Sequence, residues 1–144
     1  MKLDELKVMW QEDAPIGPDL AAESLNIFVL HSKWLGFLTD YKMYHKAAEV
    51  KLYEVGRKKV RYYKGEMNQE ELDANGWKQY QGARPLKAEL DDLLQSDPDV
   101  MKVQMKVDHY KMCIDFCTEV MKAIGQKNWN IKNAIEWNKF QAGA

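Results

Sequence analysis

The sequence predicts an all-α protein of elongated helices, with a long N-terminal helix and a C-terminal helical oligomerisation part. Three observations carry that expectation. The 144 residues contain only 4 Pro and 8 Gly, and long stretches have neither, which disfavours a turn-rich β chain. Apolar residues recur at steps of three and four over most of the chain. Hydrophobic residues make up 46% and charged residues 30%, enough for a folded core in a single domain without disulfide staples.

The elements follow in order. Met1 to Asp13 reads as a short amphipathic helix with Leu3, Leu6, Met9 and Trp10 on one side. Pro15 and Pro18 mark the turn after it, and Asp19 is placed to cap the next helix. From Asp19 to Lys64 there is no proline, and Leu25, Phe28, Val29, Leu35, Leu38, Tyr41, Ala48, Leu52 and Val55 recur at helical spacing. Gly36 and Gly56 weaken this pattern. Either the helix breaks near one of them, or it is unbroken and the protomer buries apolar faces against copies of itself. Gly65 to Pro85 holds Asn75-Gly76, Gly82 and several acids and reads as a long connector. Leu86 to Leu94 is a short helix.

Ser96-Asp97-Pro98 is a helix start, a capping residue followed by Pro at the first helical position. Beyond it Val100, Val103, Val107, Tyr110, Ile114, Cys117, Met121 and Ile124 step by three and four, the seam of a coiled coil. Gly125 is the expected stop. A last helix from about Trp129 to Phe140 closes the chain. The organisation expected is an N-terminal helical part (1–65), a connector (66–85) and a C-terminal helical part (86–144).

The net charge of −1 excludes a uniformly basic nucleic-acid condenser but leaves room for a local basic patch. That patch is Arg57-Lys58-Lys59-Val60-Arg61-Tyr62-Tyr63-Lys64, five cations and two tyrosines in eight residues with no acid. Cations neutralise phosphates and release counterions, and exposed rings give unpaired bases a stacking face. Splayed bases favour single strands over duplex. The bland alternative is a solvated basic helix face with its tyrosines packed on the core.

Other chemistry finds little support. Cys113, Cys117 and His109 share a helical face, but no second pair of ligands exists for a zinc site, and core packing is the simpler reading. No phosphate-gripping glycine loop is present, and the acids are scattered, so nothing points to an enzyme, a metal or a cofactor. The longest uncharged run, Ser24 to Ser32, is far short of the about 20 residues a membrane span needs. No targeting segment is visible, and a reducing cytoplasm is the expected location. Five Trp and eight Met, including Met101, Met105 and Met112 beside the seam, favour a subunit interface over an ordinary core.

Taken in order, Leu30-His31-Ser32-Lys33-Trp34-Leu35, Arg57 to Gly65, Asp97 to Val103, Ile114-Asp115-Phe116-Cys117 and Phe140-Gln141-Ala142-Gly143 resemble the UvsY family of tailed-phage recombination mediators. The resemblance implies a non-enzymatic helical protein that forms ring-like homo-oligomers, hexamers or heptamers. It implies binding to single-stranded DNA, loosening of the phage single-strand-binding protein, and loading of a RecA-like phage recombinase. The family's DNA-binding motif places Arg57 and Lys59 on its two basic positions and so assigns them phosphate contact. Lys58, Arg61 and Lys64 add charge around them, beside Tyr62 and Tyr63. The family's assembly region falls here on Trp129, Ile131, Ile135, Trp137 and Phe140. A helical scaffold or adaptor without DNA affinity is the alternative.

Overall fold

A computed structural model describes residues 2–143. It has five helices: α1 (Leu3–Asp13), α2 (Leu20–Tyr63), α3 (Gln69–Asn75), α4 (Lys87–Ser96) and α5 (Pro98–Gln141). No strand occurs among the described residues, and none of their helices is long and apolar enough to cross a membrane.

Local chemistry explains the helix starts. The Asp19 carboxylate accepts from the Ala22 N–H at 3.1 Å at the head of α2. Asp97 accepts from the N–H groups of Asp99 (2.9 Å) and Val100 (3.1 Å) at the head of α5. Each cap satisfies amides that have no partner within the helix. Both 44-residue helices are unbroken. Gly36 and Gly56 do not interrupt α2, and Gly125 does not end α5, contrary to expectation. A glycine stops a helix by entering the left-handed region, and Gly125 does not. Gly65 (φ 71°) and Gly76 (φ 70°) do, after α2 and α3. There the N–H groups of Glu66 and Trp77 close back on Arg61 O and Leu72 O, both at 2.9 Å.

Two compact units divide the chain: residues 2–44 with 109–143, and residues 45–108. In the first, Leu6 of α1, Ile27, Leu30, Trp34 and Tyr41 of α2, and Cys113, Cys117, Val120, Ile124 and Ile131 of α5 form the core. Trp34 is fully buried, with Trp10, Phe37 and Phe116 edge-on to it at ring-centroid distances of 5.9, 5.3 and 6.3 Å. Its Nε1–H donates to Asp13 Oδ2 at 3.0 Å, and Lys33 Nζ donates to the same oxygen at 2.7 Å, which ties the end of α1 to α2. Lys127 is buried, and its ammonium donates to Asp13 O (2.9 Å) and Pro15 O (3.0 Å) and lies 3.1 Å from Glu23 Oε2.

The buried face of α5 departs from the expected seam. Cys113 and Val120 lie deeper than Ile114 and Met121, because α5 packs on two helices in this unit and its apolar stripe is wider than a two-helix seam. Leu25, Phe28 and Val29, expected in a helical apolar pattern, are exposed. Their sequence neighbours Ile27 and Leu30 turn inward instead.

The second unit holds the later part of α2, then α3, α4 and the start of α5. Ala48, Met67, Leu72, Leu90 and Val107 are its buried apolar residues, joined by two buried charges, Lys59 and Asp97. The expected connector is therefore structured: it contains α3 and packs on the end of α2.

Candidate nucleic-acid interface

The basic segment is the last two turns of α2 and the Lys64-Gly65 turn after them. Helical geometry distributes its five cations around the axis, and their surroundings differ. Arg57 and Lys58 are exposed and Lys64 is half-buried; among the described residues none of the three has an acidic partner. Arg61 is exposed but engaged, its Nη2 donating to Glu71 Oε1 at 2.9 Å. That hydrogen bond holds the Glu71 carboxyl below its usual range.

Lys59 is the exception to the expectation of phosphate contact. It is only 4% exposed. Its ammonium lies 3.2 Å from Asp97 Oδ2, 2.9 Å from Asp99 Oδ2 and 3.9 Å from the centroid of the Trp77 ring. A cation so enclosed balances a buried carboxylate and has no face left for a phosphate. Burial alone would raise the pKa of Asp97, but hydrogen bonds from Tyr63, the Val100 N–H and Lys59 outweigh it, so the carboxyl titrates below its ordinary value.

The tyrosines point the same way. Tyr62 O–H donates to Lys78 O at 2.6 Å, and its ring lies 5.4 Å from Trp77 and 6.0 Å from Tyr80. Tyr63 O–H donates to Asp97 Oδ2 at 2.6 Å, and its ring meets Tyr80 edge-on at 5.0 Å. Burial, followed by the Asp97 carboxylate, pushes the Tyr63 hydroxyl well above its ordinary pKa. Both rings join α2 to the 77–80 segment. The sequence alone gives Trp77 and Tyr80 no part in this, although two large aromatics in a connector rich in polar residues are the available signal.

The expected assembly residues also divide. Ile131 is fully buried in its own protomer's core and Ile135 packs against that core, so Ile131, contrary to expectation, has no surface to offer another chain. Trp129, Trp137 and Phe140 are exposed, the last two stacked at 5.7 Å. Leu25, Phe28 and Val29 add exposed apolar surface to the same unit. Cys113 and Cys117 are buried free thiols, and burial pushes Cys117 up to about 11. Among the described residues no group of potential ligands could hold a metal ion.

Comparison with known proteins bears on this geometry. A family model described as "Recombination, repair and ssDNA binding protein UvsY" matches residues 9–144. The recombination protein UvsY of Enterobacteria phage T4 is 26% identical over 144 residues, which is 99% of each chain. Two crystal structures of the bacteriophage T4 recombination mediator protein UvsY superpose on the chain. Lattice type II gives a TM-score of 0.87 at 25% identity, covering 99% of this chain and 98% of that one. Lattice type IV gives 0.83 at 25% identity, covering 98% and 99%.

Proposed function

Because the chain belongs to the UvsY family of recombination, repair and single-stranded DNA-binding proteins, we propose that it is a recombination mediator that grips single-stranded DNA with the C-terminal end of α2. The observation that carries the reading is the group of cations, Arg57, Lys58 and Lys64, without acidic partners among the described residues. Arg61 contributes once Glu71 yields it. Lys59, Tyr62 and Tyr63 hold this surface in place.

One protomer presents few free cations and would hold a strand weakly at physiological salt. A homo-oligomer, hexamer or heptamer, multiplies them at high effective concentration along one strand. Trp129, Trp137 and Phe140, with Leu25, Phe28 and Val29, are the exposed apolar residues proposed to join the copies. A strand bent along such an assembly is a poorer site for the phage single-strand-binding protein. Its free segments are presented to the RecA-like phage recombinase during infection, in the host cytoplasm.

The test is fluorescence anisotropy of a labelled oligonucleotide, single-stranded and duplex, across a salt series. The expected result is a preference for single strands and a steep salt slope that flattens when Arg57, Lys58 and Lys64 are all changed to Ala. An intact oligomer without salt-sensitive single-strand binding would refute the DNA role and leave the scaffold reading.

A further inference from the structure

The motif tyrosines are committed to the fold. Tyr62 and Tyr63 spend their hydroxyls on Lys78 O and Asp97, and their rings pack on Trp77, Tyr80 and each other. The aromatic ring that this unit's part of α2 offers to solvent is Tyr53, 66% exposed and one turn before Arg57. The Arg57 guanidinium lies 5.7 Å from its centroid. Tyr53 lines a shallow hollow of about 460 Å³ with Val50, Glu54, Arg57, Lys58 and Arg61.

The chemistry of the hollow is graded. Val50 and Tyr53 contribute apolar surface, and Arg57, Lys58 and Arg61 follow them toward the helix end. Glu54 adds a carboxylate to the lining, which repels a phosphate but can accept from the amino edge of a base. A group with a flat apolar face and no charge of its own, attached to a phosphate, matches this order.

We infer that Tyr53 is a base-stacking residue, taking one unpaired nucleobase of a single strand on its ring while Arg57 and Lys58 hold the flanking phosphates. The inference rests on the single-stranded DNA reading above and adds to it a base-dependent contact from outside the basic motif. It also gives a physical reason for preferring single strands, since a paired base has no free face to offer.

The experiment compares two labelled strands of equal length, oligo(dT) and a fully abasic strand with the same phosphates. Each is titrated by anisotropy against the full-length wild type, Tyr53→Ala and Tyr53→Phe, with sedimentation of each protein alongside. Tyr53→Ala is expected to bind oligo(dT) about 5- to 150-fold more weakly, the range seen when a stacking aromatic is removed. It should bind the abasic strand as the wild type does, with an unchanged salt slope and unchanged sedimentation, and Tyr53→Phe should retain wild-type affinity for both. Equal weakening on both strands, no weakening on oligo(dT), or a changed oligomeric state would overturn the assignment; the last would make Tyr53 a subunit contact. A wild type that binds neither strand would instead overturn the DNA reading itself.

Discussion

Lys59→Met separates a structural cation from a DNA-contacting one. The substitution keeps an unbranched side chain in place and removes the charge. Asp97, its side chain 2% exposed, then loses its buried counter-ion. Breaking a buried pair costs about 3–5 kcal/mol. Three donors still hold the carboxylate, namely Tyr63 O–H and the N–H groups of Asp99 and Val100, which places the loss at the low end. The pair with Asp99 is exposed on the acid's side (56%) and adds little. The lost contact between ammonium and Trp77 is largely replaced by a sulfur–aromatic contact. The net expectation is a loss of about 3 kcal/mol, roughly 12 °C in Tm for a chain of this length.

The assay is thermal unfolding by circular dichroism at fixed protein concentration, followed by anisotropy at a temperature where the variant is folded. Lys59→Met should then show the wild-type salt slope for single strands, because its ammonium faced no solvent. Arg57→Met or Lys58→Met should keep the wild-type Tm and lose about 0.7 of slope per phosphate contact removed. The double variant Lys59→Met/Asp97→Asn should regain part of the lost stability, since no uncompensated charge is left inside. A Lys59→Met protein with wild-type Tm and a reduced slope would refute the burial argument and restore Lys59 as a phosphate contact.

Two further outcomes are expected. Lys127→Met leaves two carbonyls and the Glu23 carboxylate without their shared cation and should lower stability by about 3 kcal/mol, read as a lower urea midpoint; an unchanged midpoint would show that the clasp is dispensable. Glu23, held down by the Lys127 ammonium, and Asp97 both have lowered pKa values, so their stability is present above about pH 4 and is lost as pH falls through the folded values. Tyr63 is raised, so its contribution is present below about pH 10 and is lost as pH rises beyond that. Urea midpoints across pH should therefore fall at both ends, with Asp97→Asn flattening the acid limb and Tyr63→Phe the alkaline one.

What the sequence made legible was local. The caps at Asp19 and Asp97-Pro98 and the helical spacing of α2 and α5 depend on neighbours a few residues away, and the helix class followed from them. Gly125 misled because composition does not reveal φ; Gly65 and Gly76 stop helices through left-handed backbone and closing hydrogen bonds. The buried side of α2 was legible only as a period, since Phe28 and Ile27 are equally apolar and tertiary packing chose between them. In the basic segment the five cations look alike, and what distinguishes Lys59 lies far along the chain, at Trp77, Asp97 and Asp99. No local pattern encodes that enclosure.

The distribution of charge bears on the proposed assembly. Of the five cations in the segment, Lys59 is neutralised inside and Arg61 is paired with Glu71. The three left give a protomer a salt slope of about 2, at about 0.7 per contact, and Arg61 raises it to about 3 once Glu71 yields it. That suits rapid, weak capture and not retention. In the proposed interface, retention comes from copies acting together, so affinity should fall steeply wherever the oligomer dissociates, even with every cation intact. Internal neutralisation thus has a function in this reading. On the proposed function, it ties the end of α2 to Asp97 and Asp99 while keeping each protomer's grip weak enough for a strand to be released contact by contact.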